Sequence, residues 1–328
     1  MEPLRAEAAD PVELHKRNAA RLGARDVVVA GYPGSGAALI GNVLTELGFA
    51  YVDPYTEVVG EDGTSQVVDD RLAYRSRLSA TAASDRNAGG GKGGTDDGPR
   101  FFKNHLYPDH FDHGRLAGAV LLVRDPRDAV YSSYQWFRGF AAHWQLAGVK
   151  SQGTFAEFLD GRGVNDEPPV AGWAGFYTAW TAALPRFHRF AVIRFEDLKA
   201  DPEATTSGLL EALGAPRTPA AIEQAVRRSR YENMRAHEER VSAAAGAVGD
   251  QPRIMRRGMV GEWREWYGDE SVAARFQTPR LLETAATFGY QLAKPGAGES
   301  RLRAGRSSAR PPSPLTPPRV TSRRVPPR

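Results

Sequence analysis

The chain is 328 residues long, 41% hydrophobic and 25% charged, which supplies a packed core, yet no apolar run approaches the roughly 18 residues of a membrane span. It contains no Cys, which excludes disulfides, thiolate catalysis and Cys-based zinc sites. The net charge of +4 is not a property of the fold: Lys294 and eight Arg against the single acid Glu299 put +8 into residues 294–328 and leave −4 on residues 1–293, so charge gives no argument for a nucleic-acid partner.

Residues 1–24 are studded with Glu, Asp, Lys and Arg and lack the apolar stretch of a secretory signal, so a flexible segment and a cytoplasmic location are expected. Asp26–Gly31 is a short β-branched run of the kind found in a buried parallel strand. It leads through a Gly-rich turn into a helix over Ala37–Leu47, with Leu39, Ile40, Val43, Leu44 and Leu47 on one face and Gly48 placed to end it. Residues 79–99 are too rich in Gly, Ser and Asp to bury a core and read as a disordered insert. Further strands are predicted at Phe101–His105, Ala117–Arg124 and Phe190–Phe195. Asp125-Pro126 opens a helix to about Arg138, and Asp201-Pro202 opens another that Gly214 closes. Between them, Thr154 and Glu157 form a capping box, while Trp173, Phe176, Tyr177 and Trp180 recur at core helical spacing. Residues 294–328 read as a disordered basic Pro/Arg-rich tail. The alternation predicts one α/β domain over residues 25–293, P-loop-like, with a central parallel β-sheet flanked by helices on both faces.

The turn Gly31-Tyr32-Pro33-Gly34-Ser35-Gly36-Ala37-Ala38 exposes backbone N–H groups at the positive end of a helix, which suits a phosphate. Its spacing matches the first half of the Walker A pattern, but Ala37 and Ala38 stand where Lys and Ser/Thr would follow. The hydroxyl that would hold Mg²⁺ is therefore absent, and a Mg·ATP phosphotransferase is disfavoured. A tight structural turn without ligand is the plain alternative.

Tyr32-Pro-Gly-Ser-Gly36, Phe102-Lys-Asn-His105, Arg124-Asp-Pro-Arg-Asp-Ala-Val-Tyr-Ser132, Arg194-Phe-Glu-Asp-Leu-Lys199 and Met255-Arg-Arg-Gly-Met-Val-Gly-Glu-Trp263 occur in that order. The ordered set resembles the sulfotransferase family of the cytosolic type, which uses 3′-phosphoadenosine 5′-phosphosulfate (PAPS). The resemblance spans residues 26–268 outside the Gly-rich insert. It implies that Gly34, Ser35, Gly36, Ala37 and Ala38 wrap the 5′-phosphosulfate end of the donor. Arg124 and Ser132 with Arg256, Arg257 and Gly258 would hold the 3′-phosphate, and Tyr231 would stack on adenine. His105 would be the general base, since an imidazole can accept a proton near neutral pH, and Lys103, two residues earlier on a strand, would stabilise charge on the transferred group. The implied acceptor is a hydroxyl or amine of a small molecule or carbohydrate, bound near Trp136, Phe137, Phe140 and Trp144.

Departures from the family pattern are specific. Gly34 replaces a Lys or Arg, Ala37-Ala38-Leu39 replaces Thr-Thr-Trp, and Phe195 stands where Tyr is frequent. They keep open a nucleotide-binding relative that has lost catalysis. Asp109-His110-Phe111-Asp112-His113 offers potential metal ligands without HExxH-type spacing, and no metal is expected.

Overall fold

The computed structural model describes residues 11–55, 57–60, 65–67, 98–141, 153–244 and 253–292. The Gly-rich insert up to residue 97, Trp144 and the tail from residue 294 lie outside the described residues.

Five parallel strands form the central sheet in the order β2-β5-β1-β6-β7: β1 (Asp26–Gly31), β2 (Ala50–Val52), β5 (Arg100–Asn104), β6 (Gly118–Val123) and β7 (Phe190–Arg194). A separate antiparallel pair joins β3 (Glu57–Val59) to β4 (Ser65–Val67). β1 and β6 are buried along their whole length, so their continuous apolar sequences face protein on both sides. Alternate residues supply two cores. Val28, Ala30, Phe102, Leu121 and Val123 enter one, with Trp173, Phe176 and Trp180; Val27, Val29, Phe101, Val120 and Leu122 enter the other, with Ile40, Leu44 and Leu209. Helices therefore cover both faces.

The first helices are α1 (Pro11–Ala19) and α2 (Ala37–Glu46), and α3 (Pro126–Gln135) continues as a π-helical turn over Trp136–Ala141. The capping box at Thr154 starts α4 (Phe155–Asp160), and α5 (Pro169–Ala183) runs through the core with Trp173, Phe176, Tyr177 and Trp180 fully buried. After β7 come α6 (Phe195–Ala200), α7 (Pro202–Ala212), α8 (Pro219–Arg228), α9 (Tyr231–Ala244), α10 (Glu270–Ala274) and α11 (Pro279–Thr287).

Of the stretch 1–24 expected to be flexible, residues 1–10 lie outside the described residues and residues 11–24 correct the expectation. Residues 11–19 are helical, and Leu14, His15, Asn18, Ala19 and Leu22 are buried. Charge counting missed this because the apolar and neutral residues share one face, while Glu13, Lys16 and Arg17 face water. Phe195, expected to end the last strand, instead begins α6. Among the described residues no helix is long and apolar enough to cross a membrane, and no three His, Asp or Glu side chains gather as a metal site.

Candidate active site at the carboxyl ends of the strands

Because the strands are parallel, the loops after β1, β5, β6 and β7 open on one edge of the sheet, the usual ligand-binding edge of such folds. The loop after β1 turns sharply at Gly34 (φ 86°) and Gly36 (φ 103°). The first helical bonds of α2 run from Leu39 and Ile40 to the Gly36 carbonyl, so the N–H groups of Ala37 and Ala38 precede them and face out of the helix end.

Both glycines are required sterically. A Cβ at Gly34 would lie 2.2 Å from the carbonyl oxygen of Ala129 on α3, and one at Gly36 would lie 2.4 Å from the Phe195 ring. The loop therefore reaches α3 only because position 34 has no side chain, and the family's cation could not be added to this backbone. The same approach places Gly34 beside the Cβ of Ser132, which brings a residue two turns into α3 to the loop.

Ser35 is committed to the core. The Tyr177 hydroxyl donates to the Leu122 carbonyl (2.7 Å) and accepts from the Tyr32 N–H (3.2 Å), so its contact with Ser35 Oγ (2.9 Å) requires Ser35 to donate. The Ser35 N–H is also used, by the Tyr32 carbonyl. The Ser35 hydroxyl thus shapes the loop from beneath. Burial of the Tyr177 phenol raises its pKa and keeps it neutral in this role.

Arg124 leaves the end of β6 and spans two loops. Nη1 donates to the Gly34 carbonyl and Nη2 to the Met259 carbonyl, each at 2.8 Å, and the guanidinium lies 4.5 Å from the Phe195 ring centroid. Its side chain is 6% exposed, and burial lowers its pKa against the opposing charge of Asp128, 3.9 Å away. Nε is buried without a hydrogen-bond partner. Asp128 accepts from the N–H groups of Gly261 (2.6 Å) and Trp263 (2.8 Å), fastening the segment from Met255 to Trp263 against α3. The Arg127 guanidinium lies 3.6 Å over the Trp263 ring, so this Trp anchors the segment as packing.

Arg256 is half-buried and Arg257 exposed, and both are held by carboxylates. Arg256 makes a bidentate pair with Glu262, and Arg257 pairs with Glu265 through two 2.7 Å contacts and with Glu262 at 3.3 Å. The Glu265 hydrogen bond is the main cause of the raised Arg257 pKa. Gly258 (φ 59°) lies against Tyr231, whose hydroxyl donates to the Arg256 carbonyl at 2.7 Å. Tyr231 and the arginine segment therefore form one wall.

His105 follows β5 directly. Its Nδ1 lies 2.6 Å from the Gly31 carbonyl, which can only accept, so Nδ1 carries the proton and the basic lone pair is on Nε2. Lys103, on the same side of the strand, pairs with Asp53 at 2.8 Å and lies 5.9 Å from the Tyr55 ring centroid. The Tyr55 ring stacks on His105, and its hydroxyl oxygen accepts from the His105 main-chain N–H at 2.9 Å.

The fold thus brings together the Gly-rich loop, Lys103, His105, Arg124 and Ser132, with Tyr231 and Arg256–Gly258 as a neighbouring wall. Sequence reasoning missed Asp53, Tyr55, Asp128, Tyr177 and the acidic partners of the arginine pair. Only Asp128 left a signal, its i,i+4 spacing from Arg124. Of the aromatics expected near an acceptor, Trp136 and Phe137 are partly buried and pack edge to face on the π-helical turn. His110 and His113 lie on a short 3₁₀ turn and the loop after it, where His113 Nε2 contacts the Pro108 carbonyl.

A family profile described as the sulfotransferase domain matches residues 24–278. Mouse sulfotransferase 2A1 is 27% identical over 179 residues, covering 52% of this chain and 59% of that protein. Cytosolic sulfotransferase 10 of Arabidopsis thaliana is 25% identical over 182 residues, covering 53% of each. The chain thus spans less than two thirds of the length of these two relatives. Among solved structures, mouse sulfotransferase SULT7A1 complexed with PAP superposes with a TM-score of 0.53 at 14% identity, covering 85% of this chain and 94% of that one. A retinol dehydratase in complex with androsterone and inactive cofactor PAP gives 0.57 at 16%, covering 86% and 87%. At these identities the structural likeness shows the fold.

Proposed function

The chain belongs to the sulfotransferase family, and from that premise we propose that it transfers the sulfuryl group of PAPS to a hydroxyl or amine of a small-molecule or carbohydrate acceptor, without a metal. The observation that carries this reading is the 2.6 Å contact of His105 Nδ1 with the Gly31 carbonyl, which joins the candidate base to the first residue of the phosphate loop and leaves Nε2 as the basic nitrogen. PAPS supplies an electrophilic sulfur and a phosphate leaving group. His105 Nε2 takes the proton of the acceptor hydroxyl as the new O–S bond forms and the S–O bond to phosphate breaks. The Lys103 ammonium and the N–H groups at the start of α2 balance the negative charge that grows on the departing oxygens.

The donor site is supported by the left-handed glycines, the orphan Nε of Arg124, and two arginines in carboxylate pairs that a phosphate can replace. Gly34, Gly36, Ala37 and Ala38 would hold the 5′ end, Ser35 acting from below. Arg124, Ser132, Arg256, Arg257 and Gly258 would hold the 3′-phosphate, and Tyr231 the adenine. The androsterone bound in the retinol dehydratase complex supports an apolar acceptor. A cytoplasmic location is part of the same proposal, resting on the cysteine-free composition.

The test is calorimetric titration with adenosine 3′,5′-bisphosphate and, separately, with ATP plus Mg²⁺, followed by radiolabelled transfer from PAPS to a panel of phenols, sterols, sugars and amines. Binding of the bisphosphate alone together with transfer supports the proposal, and His105→Ala is expected to lose roughly 10²–10⁴-fold in turnover while still binding the bisphosphate. Bisphosphate binding with no transfer across the panel would leave a nucleotide-binding protein without catalysis. Mg²⁺-dependent ATP binding would point instead to phosphotransfer.

A further inference from the structure

Lys103 and His105 are both held by one short turn. After β2 the chain runs Asp53-Pro54-Tyr55, and each end of that turn engages one of the two side chains. Asp53 Oδ2 accepts from the Lys103 ammonium at 2.8 Å, while Oδ1 accepts from the Tyr55 N–H at 3.2 Å. Tyr55 Oη accepts from the His105 N–H at 2.9 Å, and its ring stacks on the imidazole with centroids 5.5 Å apart and planes 22° from parallel. The Asp53 side chain is 2% exposed and that of Lys103 12%, so the pair is screened little by water.

The turn is itself clamped from behind by α1. The Asn18 amide donates to the carbonyls of Pro54 (3.1 Å) and Glu57 (2.6 Å), and its Oδ1 accepts from the Val59 N–H (2.9 Å). The His15 ring lies 4.8 Å from that of Tyr55. A lysine has four side-chain rotors, so a fixed ammonium needs a fixed partner. His105 sits beyond the last residue of β5, where its ring can meet the Gly31 carbonyl only if its main chain is also held.

We propose that the Asp53–Tyr55 turn is the positioning element of the transfer site, Asp53 orienting Lys103 and Tyr55 orienting His105. The inference rests on the reading of His105 as base and Lys103 as charge stabiliser. Asp53 and Tyr55 act through those residues and take no part in bond making.

The test uses the full chain carrying Tyr55→Phe, which keeps the ring, and Asp53→Asn, which keeps the shape. Nitrogen-15 NMR of the histidine side chains, with the His105 signals identified by their loss in His105→Ala, is expected to find the Nδ1–H tautomer in the parent and a shift toward the Nε2–H form in Tyr55→Phe, because release of the His105 main chain from Tyr55 Oη loosens the Nδ1–H bond to the Gly31 carbonyl. In transfer from PAPS to the phenol panel, Tyr55→Phe should lower kcat about tenfold with the donor KM nearly unchanged, as loosened orientation does. It should cost nothing further in a His105→Ala background, and Asp53→Asn nothing further in Lys103→Ala. An unchanged tautomer, or the same fold-loss in both backgrounds, would overturn the proposal. If His105→Ala turns over at the parental rate, the base assignment fails, while the NMR comparison still decides whether Tyr55 orients the ring.

Discussion

Arg124 and the Arg256–Arg257 pair carry the same guanidinium group to neighbouring loops and are held in opposite ways. Arg124 is 6% exposed and donates to two backbone carbonyls, Gly34 and Met259, that belong to different segments of the chain. Arg256 and Arg257 are 32% and 39% exposed and are held by the carboxylates of Glu262 and Glu265. Arg124 is therefore a strut joining the phosphate loop to the arginine segment, with only its Nε left for a ligand, whereas the pair is exchangeable, because a phosphate can replace a carboxylate without leaving a buried group unpaired. Charge at a candidate anion site thus divides into what builds the site and what can be released to a ligand.

Removing the strut has the largest expected effect. Arg124→Ala should cost about 3–5 kcal/mol, since it leaves Asp128 buried without its cation and two carbonyls without donors. Chemical denaturation should record the loss, together with loss of bisphosphate binding. A parental midpoint with only weakened binding would mean that Arg124 is a ligand arm like the other two.

Gly34→Lys restores the family's usual residue type on a backbone at φ 86° with a carbonyl in the path of its Cβ. The expected outcome is about 1–3 kcal/mol of destabilisation and weaker bisphosphate binding, read by thermal melts and calorimetry. Tighter binding would show that the loop can withdraw from α3.

Burial acts on His15 as it does on Arg124. Desolvation pushes the His15 pKa down to about 3 from 6.5, so the folded state keeps the ring neutral while the unfolded chain takes up a proton below pH 6.5. Stability is therefore unaffected by this group at neutral pH, falls as pH drops below 6.5 and levels off near 3, with about 2 kcal/mol lost by pH 5. His15→Leu should flatten that part of the profile. An unchanged slope would assign the loss to other groups.

The exposed pair gives the smallest effects. Arg257→Ala should weaken bisphosphate binding about tenfold, as loss of a charge-assisted contact does, with little change in melting temperature. Glu265→Gln releases a competitor of the phosphate and should strengthen binding by about two- to threefold, at the scale of an exposed ion pair. A fall in affinity on Glu265→Gln would show that the acid orients Arg257 for the ligand.

Much of the fold is legible locally. The buried runs of β1 and β6, the Asp-Pro starts of α3 and α7, and the capping box of α4 each depend on residues close in sequence, and each is found where its signal lies. β2, β3 and β4 are three residues each, too short to show alternation, and were not anticipated. α1 was hidden because nine residues with three charged outward positions read as solvent-exposed until a partner surface is known.

The amino-acid sequence by itself determined the strand–loop–helix carrying the glycines, the family motifs in order, and the identities of the candidate base, lysine and arginines. Periodicity, capping and motif spacing are properties of neighbouring residues. The tertiary structure alone decided that Ser35 turns to Tyr177, that Gly34 touches α3, that Arg124 bridges two loops and that Asp53 and Tyr55 stand behind Lys103 and His105. These pairings join residues from 50 to 142 positions apart in the cases of Lys103, His105 and Ser35, and only packing of the sheet against its helices brings such residues within hydrogen-bond reach.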